Sequence, residues 1–124
     1  MDSKPNPYAS FDPKPLIGQV FDAYDVTLSQ KDLILYALSI GFNQKDQLNP
    51  EHLRFTYEND SNFGSFPTIS NAMGVANFDK FAEFKGVPKF DMNKLLHGEE
   101  EITILKAVKG DGTKYRYEMR FLDF

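Results

Sequence analysis

Ser29-Gln30-Lys31-Asp32-Leu33-Ile34-Leu35-Tyr36-Ala37-Leu38-Ser39-Ile40-Gly41 is the stretch on which the fold turns. Ser29 reads as a helix N-cap with Asp32 three residues on, a capping-box pattern that gives orphan backbone N–H groups a partner. Gly41 is placed to end the helix in the left-handed conformation that a side chain resists. The spacing therefore predicts a helix from Gln30 to Ile40. Leu33, Ile34, Leu35, Ala37, Leu38 and Ile40 leave little polar face beyond Tyr36 and Ser39, and a helix apolar nearly all round belongs in an interior. The expected class is α+β, one central buried helix wrapped by a curved antiparallel sheet. A core helix in some other α+β arrangement is the alternative.

The flanks supply the strands. Phe21 to Leu28 reads as a short strand ahead of the helix, and Asn43 to Pro50 as a polar loop after it. Leu53 to Tyr57 is a strand or an irregular segment, Asn59 to Asn62 a turn, and Phe63 to Phe66 an aromatic stretch broken by Gly64 and ended by Pro67. Between Ile69 and Phe84, Met73, Val75, Phe78, Phe81 and Phe84 sit near helical spacing, so this part is expected to be partly helical. Glu101 to Leu105 begins a strand, and Lys109-Gly110-Asp111-Gly112 gives a hairpin turn. From Thr113 to Phe124 the chain alternates, Tyr115, Tyr117, Met119 and Phe121 against Arg116, Glu118 and Arg120, the pattern of a half-buried strand. Residues 1–14, with Pro5, Pro7 and Pro13, form a polar proline-rich arm, and 15–124 the domain proper.

Composition narrows the function classes. A chain of 124 residues with 41% hydrophobic residues and twelve phenylalanines suits one globular domain with a modest core. With no cysteine there is no disulfide, thiolate metal site or cysteine nucleophile. Net charge is −4 and the lysines are scattered along the sequence, so attraction to a polyanion such as nucleic acid is not expected. No apolar run approaches the ~20 residues of a membrane span, and the proline-rich start has no apolar signal core. The expectation is a soluble intracellular protein. Two histidines, His52 and His97, stand far apart in sequence, and no metal-binding spacing joins them.

Four blocks in order carry more than composition: Asp32 to Phe42, Leu53-Arg54-Phe55-Thr56-Tyr57-Glu58, Phe66-Pro67-Thr68 and Leu95-Leu96-His97-Gly98-Glu99-Glu100. Together they resemble the N-terminal half of the type-2 (MaoC-like) enoyl-CoA hydratases, as in peroxisomal multifunctional enzymes, over about Pro15 to Phe124. The resemblance implies a hotdog fold. It also implies an Asp-Lys-Gly turn and at least one more sheet strand beyond Phe124, so a domain incomplete at its C-terminal end is expected; a partner chain or an unusual sheet edge covering the last strand is the alternative.

In that family an Asp-x-Asn-Pro-x-His motif opens the central helix of the catalytic half. Here the corresponding positions read Thr27-Leu28-Ser29-Gln30-Lys31-Asp32, with no histidine. The look-alike Asp46-Gln47-Leu48-Asn49-Pro50-Glu51-His52 has its aspartate one residue too far from Asn-Pro and follows the helix instead of opening it, so it reads as a solvated loop. No catalytic residue is expected in this chain. The resemblance places His97 and Gly98 against bound acyl-CoA: glycine admits close approach to its backbone, and imidazole can hydrogen-bond a pantetheine amide or a phosphate. Glu100 stands where glutamine is usual. Without the resemblance, His97 would be a turn histidine satisfied by Glu99 or Glu100. Tyr57-Glu58 and Phe66-Pro67-Thr68 read as structural, and the phenylalanines as core more than as an acyl tunnel.

The resemblance thus implies the non-catalytic half of a trans-2-enoyl-CoA hydratase of peroxisomal fatty-acid β-oxidation, forming (3R)-3-hydroxyacyl-CoA. Its partners would be the acyl-CoA thioester and a C-terminal catalytic hotdog domain, paired through the sheets as a dimer, with no cofactor, metal, nucleic acid or membrane. Two alternatives stand beside it. One is a self-sufficient homodimeric hotdog hydratase or thioesterase with Asp32 as base; the other is a non-catalytic acyl-CoA carrier.

Overall fold

The computed structural model describes residues 8–73 and 78–123. In chain order they form strand β1 (Val20–Ser29), helix α1 (Gln30–Ser39), helix α2 (Pro50–Thr56), a 3-10 segment (Pro67–Ala72), helix α3 (Phe78–Glu83), a 3-10 turn (Met92–Lys94) and strand β2 (Asp111–Arg120). The class is α+β, and among the described residues the sheet has two strands, β1 beside β2. The pairing is antiparallel: Gly18 N–H donates to Phe121 O and Phe121 N–H to Gln19 O, joining the start of β1 to the end of β2.

Two compact units divide these residues. One takes 8–23, 78–99 and 118–123. Its core is aromatic: Phe21, Phe81, Phe84 and Phe90 gather round or near Phe121, with ring centroids between 4.8 and 5.7 Å. Leu16 is buried in the same unit, and Asp22, buried on β1, pairs with Lys80 of α3. The second unit takes 24–73 and 100–117. There α1 packs on α2 and on the 3-10 segment. Phe42, Phe55 and Phe66 form a second aromatic cluster with centroids 5.0–5.4 Å apart; Phe55 is buried, and Phe66, like Phe81, Phe84 and Phe90, is half-buried.

The caps of α1 form as its sequence dictates. Ser29 Oγ accepts the Asp32 N–H at 3.3 Å while the Asp32 carboxylate accepts the Ser29 N–H at 2.8 Å, a complete capping box. At the other end Gly41 takes φ 107°, in the left-handed region. Ser29→Ala is expected to destabilise the chain by about 1 kcal/mol, read from urea unfolding.

The burial of α1 departs from expectation. Only Leu33 and Ala37 are buried, whereas Leu35 is 60% exposed and Leu38 and Ile40 lie at the surface with it. Within the described residues the helix is covered on one side, by α2 and the 3-10 segment. Its apolar girth exceeds what these residues bury.

Two other expectations fail. Leu53 to Tyr57 is not a strand, because Asn49 caps a helix there: its side-chain oxygen accepts the Glu51 N–H at 3.0 Å, and Pro50 opens the helix where no N–H is needed. Glu101 to Leu105 is not a strand either. The predicted hairpin turn is instead the start of β2, with the Asp111 carboxylate accepting the Thr113 N–H, and β2 takes β1 as its partner. The alternating Ile102 and Ile104 are left exposed. The stretch from 69 to 84 is helical at both ends, with residues 74–77 outside the described ones. β2 keeps the expected faces: Tyr115, Tyr117 and Met119 are half-buried and Phe121 buried, while Arg116, Glu118 and Arg120 are exposed.

Candidate functional site

Chemistry at the α1 N-terminus would have to start from Asp32. Its carboxylate is engaged by the Ser29 N–H and by the Ser29 hydroxyl, at 2.8 and 2.6 Å. The Ser29 side chain first, then its backbone N–H, holds the Asp32 carboxyl below the ordinary carboxylate value of 3.8. A base works best when its pKa lies near the working pH, so this environment weakens Asp32 in that role. The residue lines a small cavity of about 210 Å³ with Thr27, Leu28, Tyr36, Ile69, Ala72 and Met73. The Tyr36 hydroxyl is itself tied to Thr68, with 2.7 Å between Tyr36 Oη and Thr68 Oγ1.

Asp25 and Asp111 share the downward shift, Asp25 chiefly through a hydrogen bond from Lys114 and Asp111 through one from the Thr113 side chain. For all three the folded value lies below the unfolded one. Each therefore favours the fold above the unfolded value and ceases to do so as pH falls through the folded one. Melting temperature is expected to drop as pH falls below 3.8. Asp32→Asn should flatten part of that drop, as thermal melts across the acid range would show.

The Asp46 to His52 segment is structural. Asp46 accepts the Leu48 N–H in a turn, Asn49 caps α2, and the His52 ring accepts the Asn43 N–H at Nδ1, 3.1 Å away. That bond fixes the imidazole with its proton on Nε2. His52 also packs edge-on against Phe42, at 4.9 Å between centroids. The expected solvated loop holds as far as Asn49; from Pro50 the segment is helix.

His97 and Gly98 lie in a stretch without regular secondary structure after the 3-10 turn, and both are exposed. A Cβ built on Gly98 meets no atom within 4 Å, so nothing in the chain's own packing requires glycine there. Leu95 and Leu96 beside them are exposed as well. The pair lines none of the concavities described in this section.

The most apolar described cavity that touches α1 was not legible in the sequence. Gln30, Leu33, Phe63, Gly64, Ala107, Val108, Lys109, Gly110 and Asp111 enclose about 390 Å³ at the N-terminal end of the helix. It forms because Gly110 seats directly on the backbone of Ser29 and Gln30: a Cβ there would lie 2.8 Å from Ser29 C and O and from Gln30 N. Only glycine allows that approach. The Lys109-Gly110-Asp111-Gly112 signal was readable only as a turn, since nothing local reports which backbone it will meet. Among the described residues no three His, Asp or Glu side chains cluster as metal ligands would, and no helix is long and apolar enough to cross a membrane.

Comparison with known proteins places the chain. Residues 26–121 match the family model of the MFE-2 hydratase 2 N-terminal domain. The chain is 34% identical over 102 residues to a Dictyostelium discoideum protein named "Probable enoyl-CoA hydratase 2", a match covering 82% of this chain and 33% of that one. It is 35% identical over 97 residues to the Drosophila melanogaster peroxisomal multifunctional enzyme type 2, covering 74% of this chain and 15% of the relative. It is 26% identical over 84 residues to the peroxisomal enoyl-CoA hydratase 2 of Arabidopsis thaliana, covering 66% and 27%. The chain thus spans a third or less of the length of these relatives. No solved structure gives a significant match. The chain belongs to the family of MFE-2 hydratase 2 N-terminal domains.

Proposed function

We propose that this chain is the non-catalytic hotdog half of a trans-2-enoyl-CoA hydratase, contributing to acyl-CoA binding while a C-terminal hotdog domain performs the chemistry. The observation that carries the reading is the family match over residues 26–121. Adding water to an enoyl thioester needs a base for the water, an acid for the α-carbon and donors for the thioester oxygen. Here the nearest candidates have other work: Asp32 closes the capping box and His52 accepts the Asn43 N–H. The exposed apolar face of α1, with Leu35, Leu38 and Ile40, suits a helix that further sheet strands would enclose. The product would be (3R)-3-hydroxyacyl-CoA, and the names of two relatives support a peroxisomal setting.

Within this reading His97 and Gly98 touch the acyl-CoA: the imidazole hydrogen-bonds a pantetheine amide or phosphate, and Gly98 leaves room for the ligand at its backbone. Gly98→Ala discriminates ligand contact from structure. The new methyl meets nothing in the chain, and replacing glycine lowers the entropy of the unfolded state, so stability is expected to hold or rise slightly. Binding of a saturated acyl-CoA, followed by titration calorimetry, should weaken. His97→Ala should weaken it by roughly tenfold, the order expected for one lost hydrogen bond to a charged acceptor. Unchanged affinity in both variants would remove the pair from the site.

A homodimeric hydratase or thioesterase with Asp32 as base is the less favoured reading, because that carboxylate is tied to Ser29 and its pKa is lowered.

A further inference from the structure

The segment between residues 106 and 116 is locally basic. Four cations lie there, Lys106, Lys109, Lys114 and Arg116, against one carboxylate, Asp111. Lys114 and Arg116 reach Asp25 on β1, at 2.8 and 3.4 Å. Lys106 and Lys109 make no ion pair within 4.0 Å among the described residues. Both line an open concavity of about 520 Å³ together with Ala107, Thr113 and Tyr115. No carboxylate lines it.

The backbone that carries these lysines is held from two sides. Gly110 seats on the Ser29–Gln30 backbone, and the Lys109 N–H donates to Tyr115 Oη at 2.7 Å. Two residues along β2, Tyr117 stacks on Tyr24 at 5.1 Å between centroids, whereas Tyr115 has no ring partner among the described residues. The concavity therefore combines a half-buried aromatic ring and Ala107 with two ammonium groups and the Thr113 hydroxyl. An inorganic anion would use the charges and leave the ring idle. A long polyanion would meet a protein of net charge −4. A planar base carrying one or two phosphates uses both features, since aromatic rings stack on any base and ammonium groups bind phosphate.

We propose that this concavity is a nucleotide site, with the base on the Tyr115 ring and a phosphate between Lys106 and Lys109. A free nucleotide and the nucleotide end of coenzyme A share this chemistry. The site stands on its own residues and does not depend on His97 or Gly98.

The test is calorimetric titration of the 124-residue chain with adenosine 3′,5′-bisphosphate, with coenzyme A and with inorganic phosphate. Saturable binding of the bisphosphate, weakening as salt is raised, is expected, with inorganic phosphate binding at least tenfold more weakly because it cannot stack. Equal affinity for bisphosphate and coenzyme A would assign the nucleotide end of coenzyme A to the pocket, and much weaker coenzyme A binding a free nucleotide; both support the proposal. The double variant K106Q/K109Q changes only exposed side chains and should lose about tenfold or more in affinity with an unchanged melting temperature. Tyr115→Leu should lose roughly tenfold, while Tyr115→Phe, which keeps the ring, should lose less. No saturable binding of the bisphosphate, or an affinity indifferent to K106Q/K109Q, would overturn the proposal. Bisphosphate binding lost in K106Q/K109Q but kept in Gly98→Ala, with acyl-CoA binding weakened in Gly98→Ala, would show two separate sites, so failure of one reading is distinguishable from failure of the other.

Discussion

Leu33→Ala is expected to destabilise the isolated chain by about 3 kcal/mol, near the middle of the range for removing a buried leucine. Leu33 is 2% exposed on the covered side of α1, where the helix meets α2 and the 3-10 segment. Its side chain also forms part of the wall of the 390 Å³ cavity beside Phe63. Truncation enlarges a space that Gly110 and Asp111 hold open from the far side, so collapse can recover little of the lost packing. Leu35→Ala, one residue pair further round the helix, removes the same atoms from a site that is 60% exposed and should cost less than about 1 kcal/mol. Urea unfolding of both variants measures the contrast. If the two costs came out equal, the burial described for α1 would be wrong.

Gly110→Ala should cost about 1–3 kcal/mol, the range for forcing extra volume into a packed site. The three atoms a Cβ would meet at 2.8 Å all belong to the Ser29–Gln30 backbone, so no side chain can rotate away. The segment must lift off the N-terminus of α1, and the cavity at that end opens with it. Hydrogen exchange should then show faster exchange at Ser29, whose N–H is bonded to Asp32 in the capping box. Gly112→Ala is the control. Gly112 has φ 84° but open space around it, so alanine there brings backbone strain of about 1 kcal/mol and leaves the helix cap intact. Equal exchange at Ser29 in both variants would contradict the contact.

Much of α1 was legible because its determinants are local. Ser29, Asp32 and Gly41 sit in or beside the helix they define, and each does in the structure what its position foretells. The faces of β2 were legible for the same reason, a period of two over the seven residues from Tyr115 to Phe121. Helix α2 could have been read from Asn49-Pro50-Glu51, a cap, a helix-opening proline and an acidic first turn, a signal against which the Phe55-Thr56-Tyr57 run, of strand-favouring residues, competes. Residues 101–105 show the opposite limit. Ile102 and Ile104 alternate as a strand should, yet a strand exists only where another offers its edge, and β1 pairs with β2. The site divides similarly. That Asp32 would be a cap was written in its spacing from Ser29, whereas the meeting of Gly110 with Ser29 and Gln30 depends on a contact between residues about eighty positions apart.

The exposed leucines of α1 bear on the same point. Among the described residues, a helix whose sequence is apolar nearly all round keeps Leu35, Leu38 and the adjoining Ile40 in water.

The most direct test of the account is to incubate the 124-residue chain with a trans-2-enoyl-CoA and measure formation of the 3-hydroxyacyl-CoA product. The proposed division of labour predicts no product above the uncatalysed rate at substrate concentrations that saturate binding. Sustained turnover by this chain, abolished by Asp32→Asn, would contradict it and move the catalytic centre into this domain.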